Sequence, residues 1–551
     1  MSFLSSDIMK GTDWRALERA VARLMMLAGW TDVSVVGASG DNGADIVGVR
    51  TENGVSKIWV IQVKAVIRGK YVGVVAINEV LNAMALYNAQ VAVVATNGDF
   101  YATSFERQKT LKKNGFDLHL WNGAFLNGLL EKLSPSPMQK KLRPYQKDIV
   151  EKIQGTYHAG GHRALYIVAT GLGKTVIAAK SARFLWENGN RRILVLCHAQ
   201  DLALQLEQSF WSELPKEVPT RTFFGGKAPL LYEGINFGLY QTFQGYLNGI
   251  RPKDFDAVIV DEAHHALASG FRSCLDTLSP RFLIGMTATP WRGDGQTVTD
   301  VFGEPIATVS LIDGMSQGYL AQVDYRLFCD NIDWKSISGL SKNSLTIRDL
   351  NKKLFLPQRD DAIIDQIQKT IQEIRNPRII IFTSSIEHGK LFAEMLSATG
   401  ISCVALSGLN RFERQKRLIQ FSSGKVSAVT AVDLLNEGID VPDVNLLVFL
   451  RATHSRRIFV QQLGRGLRIH EGKEKVTVLD FISDIRRIAE VLQMDRDGRT
   501  KGASSEMVYL KDGFVRFSDS HAQSFMSAWL KDIADVGDCS DNEKLIFPEV
   551  F

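Results

Sequence analysis

The sequence predicts an α/β protein of several domains: a small N-terminal α/β domain, two doubly wound parallel-sheet lobes and a small, mostly helical C-terminal extension. Three observations predict it. An apolar stretch at residues 164–168 runs into a glycine-rich turn and then a helix-forming segment. A second apolar run, residues 257–260, ends in two adjacent carboxylates, Asp261 and Glu262, the placement expected at the end of a strand in a buried parallel sheet. Upstream, residues 14–64 read as an amphipathic helix followed by strands that carry Asp45, Gln62 and Lys64. A chain of 551 residues exceeds what one hydrophobic core holds. The predicted divisions are a first domain at 1–132, a linker at 133–141, lobe 1 at 142–312, lobe 2 at 313–492 and the extension at 493–551.

Composition narrows the class. No stretch approaches the roughly 20 apolar residues that span a bilayer, and residues 1–10 have no basic segment ahead of an apolar run, so neither a membrane partner nor a signal peptide is expected. The five cysteines (Cys197, Cys274, Cys329, Cys403 and Cys539) make no CxxC pair, which argues against a zinc or iron–sulfur site. Scattered thiols fit a reducing cytoplasm, the expected location. The net charge of +5 leans only weakly toward a polyanionic partner.

In the first domain, Leu17, Val21, Leu24, Met25 and Ala28 recur at three- to four-residue spacing, with Glu18 on the flank of the stripe. Val33-Ser34-Val35-Val36 follows, then a turn-rich stretch at 37–43 and a short strand, Ala44-Asp45-Ile46-Val47. Ile58-Trp59-Val60-Ile61-Gln62-Val63-Lys64 is a second strand, on which residues 62 and 64 face the same side. Asp45, Gln62 and Lys64 are therefore expected to converge on one pocket. Oxygen donors in such a pocket suit a hard cation, commonly Mg²⁺. Asp45 offers a carboxylate, Gln62 an amide oxygen and Val63 its carbonyl, and Glu18 would complete the shell. A cation there lowers the pKa of an attacking water, and the Lys64 ammonium would orient that water or the scissile phosphate. Asp41 reads as a turn residue.

Leu17-Glu18, then Ser39-Gly40-Asp41-Asn42-Gly43-Ala44-Asp45, then Gln62-Val63-Lys64 resembles the Mrr-type restriction endonucleases, a Q-x-K variant of the PD-(D/E)xK nucleases, over about residues 10–130. The resemblance implies a restriction-endonuclease-like α/β fold and Mg²⁺-dependent cleavage of DNA, often modified or foreign DNA.

The Ser/Pro-rich segment Leu133-Ser134-Pro135-Ser136-Pro137-Met138-Gln139 reads as a linker. Leu142-Arg143-Pro144-Tyr145-Gln146 then opens a helix. The strand at 164–168 leads into Ala169-Thr170-Gly171-Leu172-Gly173-Lys174-Thr175 and a helix, the plan of a phosphate-binding loop. Small residues at Thr170, Gly171 and Gly173 let backbone N–H groups wrap phosphates at a helix N-terminus. Lys174 is expected on the β/γ-phosphates of ATP and the Thr175 hydroxyl on Mg²⁺. The strict form has Gly or Ala where Val168 stands. Downstream, Asp261 is the expected Mg²⁺ ligand, Glu262 the base that polarises the attacking water, and His264 the link from nucleotide to the next motif.

Residues 140–490 resemble a superfamily 2 helicase of the DEAH-like branch that includes type I and type III restriction motors. The resemblance implies two RecA-like lobes. It places Arg143 and Gln146 at an adenine-sensing motif, Asp201, Gln205, Gln241 and Thr242 on the tracked strand, and Thr287-Ala288-Thr289-Pro290 at motif III. It also places Gly438 and Asp440 in motif V, and Gln461, Arg465 and Arg468 in motif VI. Arg465 and Arg468, three apart on an expected helix, would face one side and reach the γ-phosphate as arginine fingers. Hydrolysis would then open and close the lobes and ratchet a strand. From 451 to 502, twelve Lys and Arg stand against seven Asp and Glu, an excess that suits either a strand groove or ordinary surface.

Together these readings predict an ATP-driven DNA motor joined to an endonuclease, a restriction-like enzyme acting against phage or foreign DNA. A repair helicase-nuclease and an ATP-gated DNA sensor with an inert nuclease are the competing readings. No separate target-recognition domain is visible. Specificity for sequence or modification would lie in the nuclease, in the tail beyond residue 500, in a protein partner, or nowhere.

Overall fold

A computed structural model describes residues 2–36, 43–67, 69–136, 141–224, 232–288, 297–328, 344–354, 360–409, 411–432, 443–450, 466–469, 473, 475–481, 484–504, 515–517 and 544–546. The N-terminal domain runs α1 (Ser6–Lys10), α2 (Trp14–Leu27), β1 (Thr31–Val35), β2 (Ile46–Glu52), β3 (Val55–Lys64), β4 (Tyr71–Val72), α3 (Val74–Tyr87), β5 (Val91–Thr96), β6 (Asp99–Phe100), α4 (Ala102–Lys113), β7 (Asp117–Trp121) and α5 (Gly123–Lys132). Its sheet order is β1-β2-β3-β5-β7. The β1–β2 and β2–β3 pairs are antiparallel, and β3–β5 and β5–β7 are parallel.

Alternation along these strands sorts the core onto two faces. Ile46, Trp59, Ile61 and Val63 pack with Leu17, Val21 and Leu24 of α2. Val47 and Val60 pack with Ala76, Ile77 and Val80 of α3. Gln62 and Lys64, one step out of phase with Ile61 and Val63, thus stand on the α3 side.

Lobe 1 begins with α6 (Pro144–His158), β8 (Arg163–Val168), α7 (Lys174–Glu187), β9 (Arg192–Cys197) and α8 (Gln200–Trp211), and adds β10 (Thr220–Phe223), β11 (Gly234–Leu239), β12 (Ala257–Asp261), β13 (Phe282–Thr287) and β14 (Pro305–Val309). The strand order β10-β11-β9-β12-β13-β8-β14 is parallel throughout. Ala164, Tyr166 and Val168 face α6 and α7, whereas Leu165 faces the opposite layer with Val258, Val260 and Phe271. Helices on both faces bury the central strands, which is why β8, β9 and β12 read as continuous apolar runs.

Lobe 2 repeats the plan with β15 (Gln322–Phe328), β17 (Ile379–Phe382), β18 (Cys403–Ala405), β19 (Ala428–Ala431), β20 (Leu446–Phe449), β21 (Lys475–Phe481) and β22 (Val515–Phe517), in the order β18-β19-β17-β20-β21-β15-β22. A separate antiparallel pair joins β16 (Ser344–Thr346) to β23 (Lys544–Ile546). Among the described residues beyond 492 the extension is mostly helical, as expected, with two short strands besides. It is helical up to Ser504, and the described residues beyond are β22 and β23. Val515 and Phe517 suit a strand, and the exposed edge of β15 supplies the backbone partners that the sequence of the tail does not reveal.

The first domain docks on lobe 1 through α2. Arg23 is 1% exposed, and its guanidinium donates to the carbonyls of Val218 (2.8 Å), Pro215 (3.0 Å) and Leu214 (3.3 Å). One turn earlier, Arg19 pairs with Glu207 of α8 at 3.2 Å, and Trp211 at the end of α8 joins the hydrophobic core of the first domain. Lys216 ties the same loop to the linker, donating from its Nζ to Leu133 O (2.9 Å) and Leu130 O (3.3 Å). Burial pulls Arg23 down to about 9, with Glu207 and then Glu217 opposing the drop, so it remains a cation at neutral pH. At its other end α8 meets lobe 2, where Asp201 accepts from Arg414 at 2.6 Å.

Candidate active sites

Asp45 sits just before β2, held in the sheet by its N–H to Ile61 O and by Val36 N–H to its own carbonyl, both 2.8 Å. The β2–β3 register pairs Ile46 with Ile61. Asp45 stands one residue before that pair, beside Gln62 and Val63 of β3. Asp45 Oδ2 accepts from Gln62 Nε2 (2.8 Å) and from Val63 N–H (2.5 Å). Both side chains are buried, at 5% exposure. Gln62 spends its NH₂ on Asp45, and among the described residues its buried Oε1 meets no hydrogen-bond donor. A buried acceptor oxygen beside a buried carboxylate is a donor set that fits a hard cation. Lys64 lies on the same face, half-exposed, with its Nζ 2.6 Å from Glu79 Oε2. Glu18 is buried on α2, whose apolar stripe packs on the opposite face of the sheet. Asp41 lies outside the described residues.

In lobe 1 the phosphate loop follows β8. Gly171 (φ +87°) and Gly173 (φ +84°) take left-handed backbone that other residues rarely adopt, and Gly173 caps α7, which opens with Lys174 and Thr175. Thr170 stands at the start of the loop, half-buried. Behind the loop, Gln146 donates from Nε2 to Leu172 O (2.9 Å) and accepts from Arg143 N–H (3.0 Å). Both ends of its amide are engaged by the chain, so in this conformation Gln146 braces the loop rather than presenting itself to an adenine edge. Tyr145 adds a second bond to Leu172 O (2.5 Å), and its ring lies 5.0 Å from that of Tyr319, over which Arg143 sits at 5.4 Å. These tyrosines were not singled out from sequence, although Tyr145 lies inside the segment that opens the helix.

Glu262 has left-handed backbone (φ 47°), a strained choice for a non-glycine residue. Its Oε1 meets Lys174 Nζ at 2.8 Å and its Oε2 lies 3.4 Å from His264 Nδ1. Burial, and then the neighbouring Glu262 charge, push Asp261 up to about 7. Burial also pushes Glu262 upward, but Lys174 and His264 outweigh it and hold Glu262 at about 2. A cation beside Asp261 would offset the burial that favours its neutral form, and the Asp261 carboxylate with the Thr175 hydroxyl is an oxygen set suited to Mg²⁺. His264 Nδ1 also stands 3.0 Å from Thr287 Oγ1 at the end of β13, the expected link between the carboxylate pair and motif III. Among the described residues no three His, Cys, Asp or Glu side chains cluster as a metal site. Both candidate shells draw instead on amide, carbonyl or hydroxyl oxygens.

Arg468 corrects one expectation. Arg468 itself does not lie in a helix. Its backbone forms an isolated antiparallel bridge with Leu320, and Ala321 N–H donates to Leu467 O at 2.7 Å. Pairing with the chain that enters lobe 2 pulls this segment out of helical geometry. Gly438, Asp440, Gln461 and Arg465 lie outside the described residues, as do Thr289 and Pro290. In lobe 1, Gln241 Nε2 donates to His198 O at 3.3 Å.

Fold and sites together define a class: an α/β nuclease-like domain packed on a two-lobed, phosphate-loop motor. Comparison with known proteins agrees. The family described as "Restriction endonuclease" matches residues 9–130, "Type III restriction enzyme, res subunit" matches 139–292 and "Helicase conserved C-terminal domain" matches 362–470. The chain thus carries a restriction endonuclease domain followed by the domains of an ATP-dependent helicase. It is 27% identical over 360 residues to irc3 of Schizosaccharomyces pombe, named as a mitochondrial ATP-dependent helicase, covering 63% of this chain and 58% of that protein. It is also 27% identical over 450 residues to the EcoAI endonuclease subunit of a type I restriction enzyme from Escherichia coli, covering 71% and 54%. The chain spans little more than half the length of these curated relatives. The solved structure of the ATP-dependent type ISP restriction-modification enzyme LlaBIII bound to DNA superposes with a TM-score of 0.52 at 17% identity, over 94% of this chain and 41% of that one, a likeness of fold. Among the described residues no helix is long and apolar enough to cross a membrane.

Proposed function

We propose that this chain is an ATP-driven DNA translocase carrying a Mg²⁺-dependent endonuclease, and that it restricts phage or foreign DNA in the cytoplasm. The observation that carries the reading is the buried Arg19–Arg23 seat on lobe 1, which holds a Q-x-K site and a phosphate loop in one body. In the nuclease, Asp45, the Gln62 amide oxygen and the Val63 carbonyl would hold the cation, whereas Glu18, on the helix packed against the other face of the sheet, would not ligate it directly. Mg²⁺ bound there supplies charge stabilisation at the phosphorane and a more acidic water. Lys64 orients the phosphate. The Asp45–Gln62 hydrogen bond fixes both side chains in advance, so little reorganisation accompanies binding.

In the motor, Lys174 exchanges Glu262 for the γ-phosphate. That exchange releases Glu262, already ionised, to accept the proton of the attacking water. His264 passes the change to Thr287. Arg468 and Arg465 serve the nucleotide as arginine fingers, and Gly438, Asp440 and Gln461 share the nucleotide-binding role. The type I relative is named as a subunit, which supports a protein partner as the source of sequence specificity.

The test is a plasmid incubated with Mg²⁺, with and without ATP. Asp45→Ala should abolish cutting and Lys64→Ala should leave only a slow residual rate, both sparing ATP turnover, and Lys174→Ala should abolish turnover. Normal cutting by Asp45→Ala removes the site assignment. A phage-plating assay comparing parent with both knockouts decides between defence and repair.

A further inference from the structure

One residue of α3 touches both limbs of the candidate nuclease site, and no sequence motif marks it. Glu79 precedes Val80, a core residue by which α3 packs on β3 and β5. Its Oε2 is shielded from solvent and lies 2.6 Å from Lys64 Nζ. Its main chain meets the turn that carries Asp45. A Cβ built on Gly43 would fall 2.3 Å from Glu79 O, and Gly43 has φ +91°. The main chain of Glu79 thus meets the turn before Asp45, and its carboxylate meets Lys64 at the end of β3.

We propose that Glu79 is the positioning residue for Lys64, resting on the nuclease reading above. A lysine ammonium is a point charge on a flexible four-carbon stem, with no fork to fix its direction. Facing Asp45 across the site, it is free to fold onto that carboxylate and occupy the space a cation needs. Glu79 holds it to the α3 side, leaves Asp45 and Gln62 to the cation, and yields the ammonium to the scissile phosphate when DNA arrives. Both side chains of the pair are more than one-third exposed (36% and 39%), so the ion pair adds little to stability. Its geometry is what matters. Glu79 touches no reacting atom in this role.

The test uses the full chain, a supercoiled plasmid and Mg²⁺ with ATP, under single-turnover conditions. Glu79→Gln should slow cutting by roughly 10- to 100-fold, the scale set by misplacing a catalytic group by about an ångström. The Kd for plasmid, the half-saturating Mg²⁺ concentration and ATP turnover should stay within about twofold of the parent. Glu79→Asp should recover part of the rate. Lys64→Ala combined with Glu79→Gln should cut no more slowly than Lys64→Ala alone, because both changes remove one function. Parent-like cutting by Glu79→Gln overturns the proposal, as does a rise in half-saturating Mg²⁺ that accounts for the lost rate, which would make Glu79 a metal ligand. Multiplying defects in the double variant overturn it too. A parent that cuts nothing under any condition removes the nuclease reading itself, a result distinct from a cutting parent with neutral Glu79 variants.

Discussion

Replacing Arg23 by methionine should loosen the nuclease domain from lobe 1 without touching either candidate active site. Methionine keeps much of the stem and removes the fork. Three buried carbonyls, those of Leu214, Pro215 and Val218, lose a charged donor. Pro215 O keeps Val218 N–H at 3.0 Å, so its loss is partial. A hydrogen bond to a charged group contributes about 1.5–3 kcal/mol, and removing one partner from a buried polar cluster costs about 3–5 kcal/mol in all. The loss of the contact in which the guanidinium sits 4.3 Å over the Phe3 ring adds to this; against it, the variant no longer buries a cation whose pKa burial has pulled to about 9. A net loss of about 3 kcal/mol remains, which for a domain of this size lowers its unfolding midpoint by roughly 10 °C. Calorimetry of the full chain should show the nuclease transition separating downward while the motor transition and ATP turnover hold. Limited proteolysis should nick the variant faster between residues 133 and 141. A nuclease transition that moves by less than about 2 °C refutes the claim that Arg23 carries the seat. Arg19→Ala should act in the same direction but not additively, because both arginines share the field of Glu207.

Other outcomes follow from the same geometry. Asp261, raised from 3.8 to about 7 by burial and Glu262, contributes stability that is fully present below the ordinary carboxylate range and is lost as pH rises through about 7. Binding of Mg²⁺ and ATP should therefore release up to one proton near pH 7. Calorimetric binding enthalpies would then differ between phosphate and Tris buffers, and equal enthalpies would refute it. Gly43→Ala should fold poorly or cut slowly, with a loss of about 1–3 kcal/mol by denaturant titration, since its φ of +91° and the 2.3 Å approach to Glu79 O leave no room for a Cβ. His264→Ala should retain nucleotide binding but weaken the stimulation of ATP turnover by DNA, because it removes the 3.0 Å contact to Thr287 Oγ1; unchanged stimulation would show that the two motifs communicate elsewhere.

What the sequence alone determined is local. The phosphate loop is legible because strand, turn and helix are contiguous, and glycines at 171 and 173 meet a backbone demand set within a few residues. The carboxylates at 261 and 262 end an apolar run, and residues 62 and 64 share a face by the two-residue period of a strand. Only the tertiary structure decided what those groups meet. Arg23 finds Val218 O across 195 residues. Three arginines at four-residue spacing on α2, Arg15, Arg19 and Arg23, were the available signal for a second packed face, but not for its partner. Lys64 meets Glu79 because α3 packs over one side of β3, and Arg468 leaves its expected helix because its backbone pairs with Leu320. The physical reason is common to all of these. A backbone period or a φ preference is set by neighbours in the chain, whereas the partner of a buried charge is set by which faces pack together, and many sequences share the same faces with different partners.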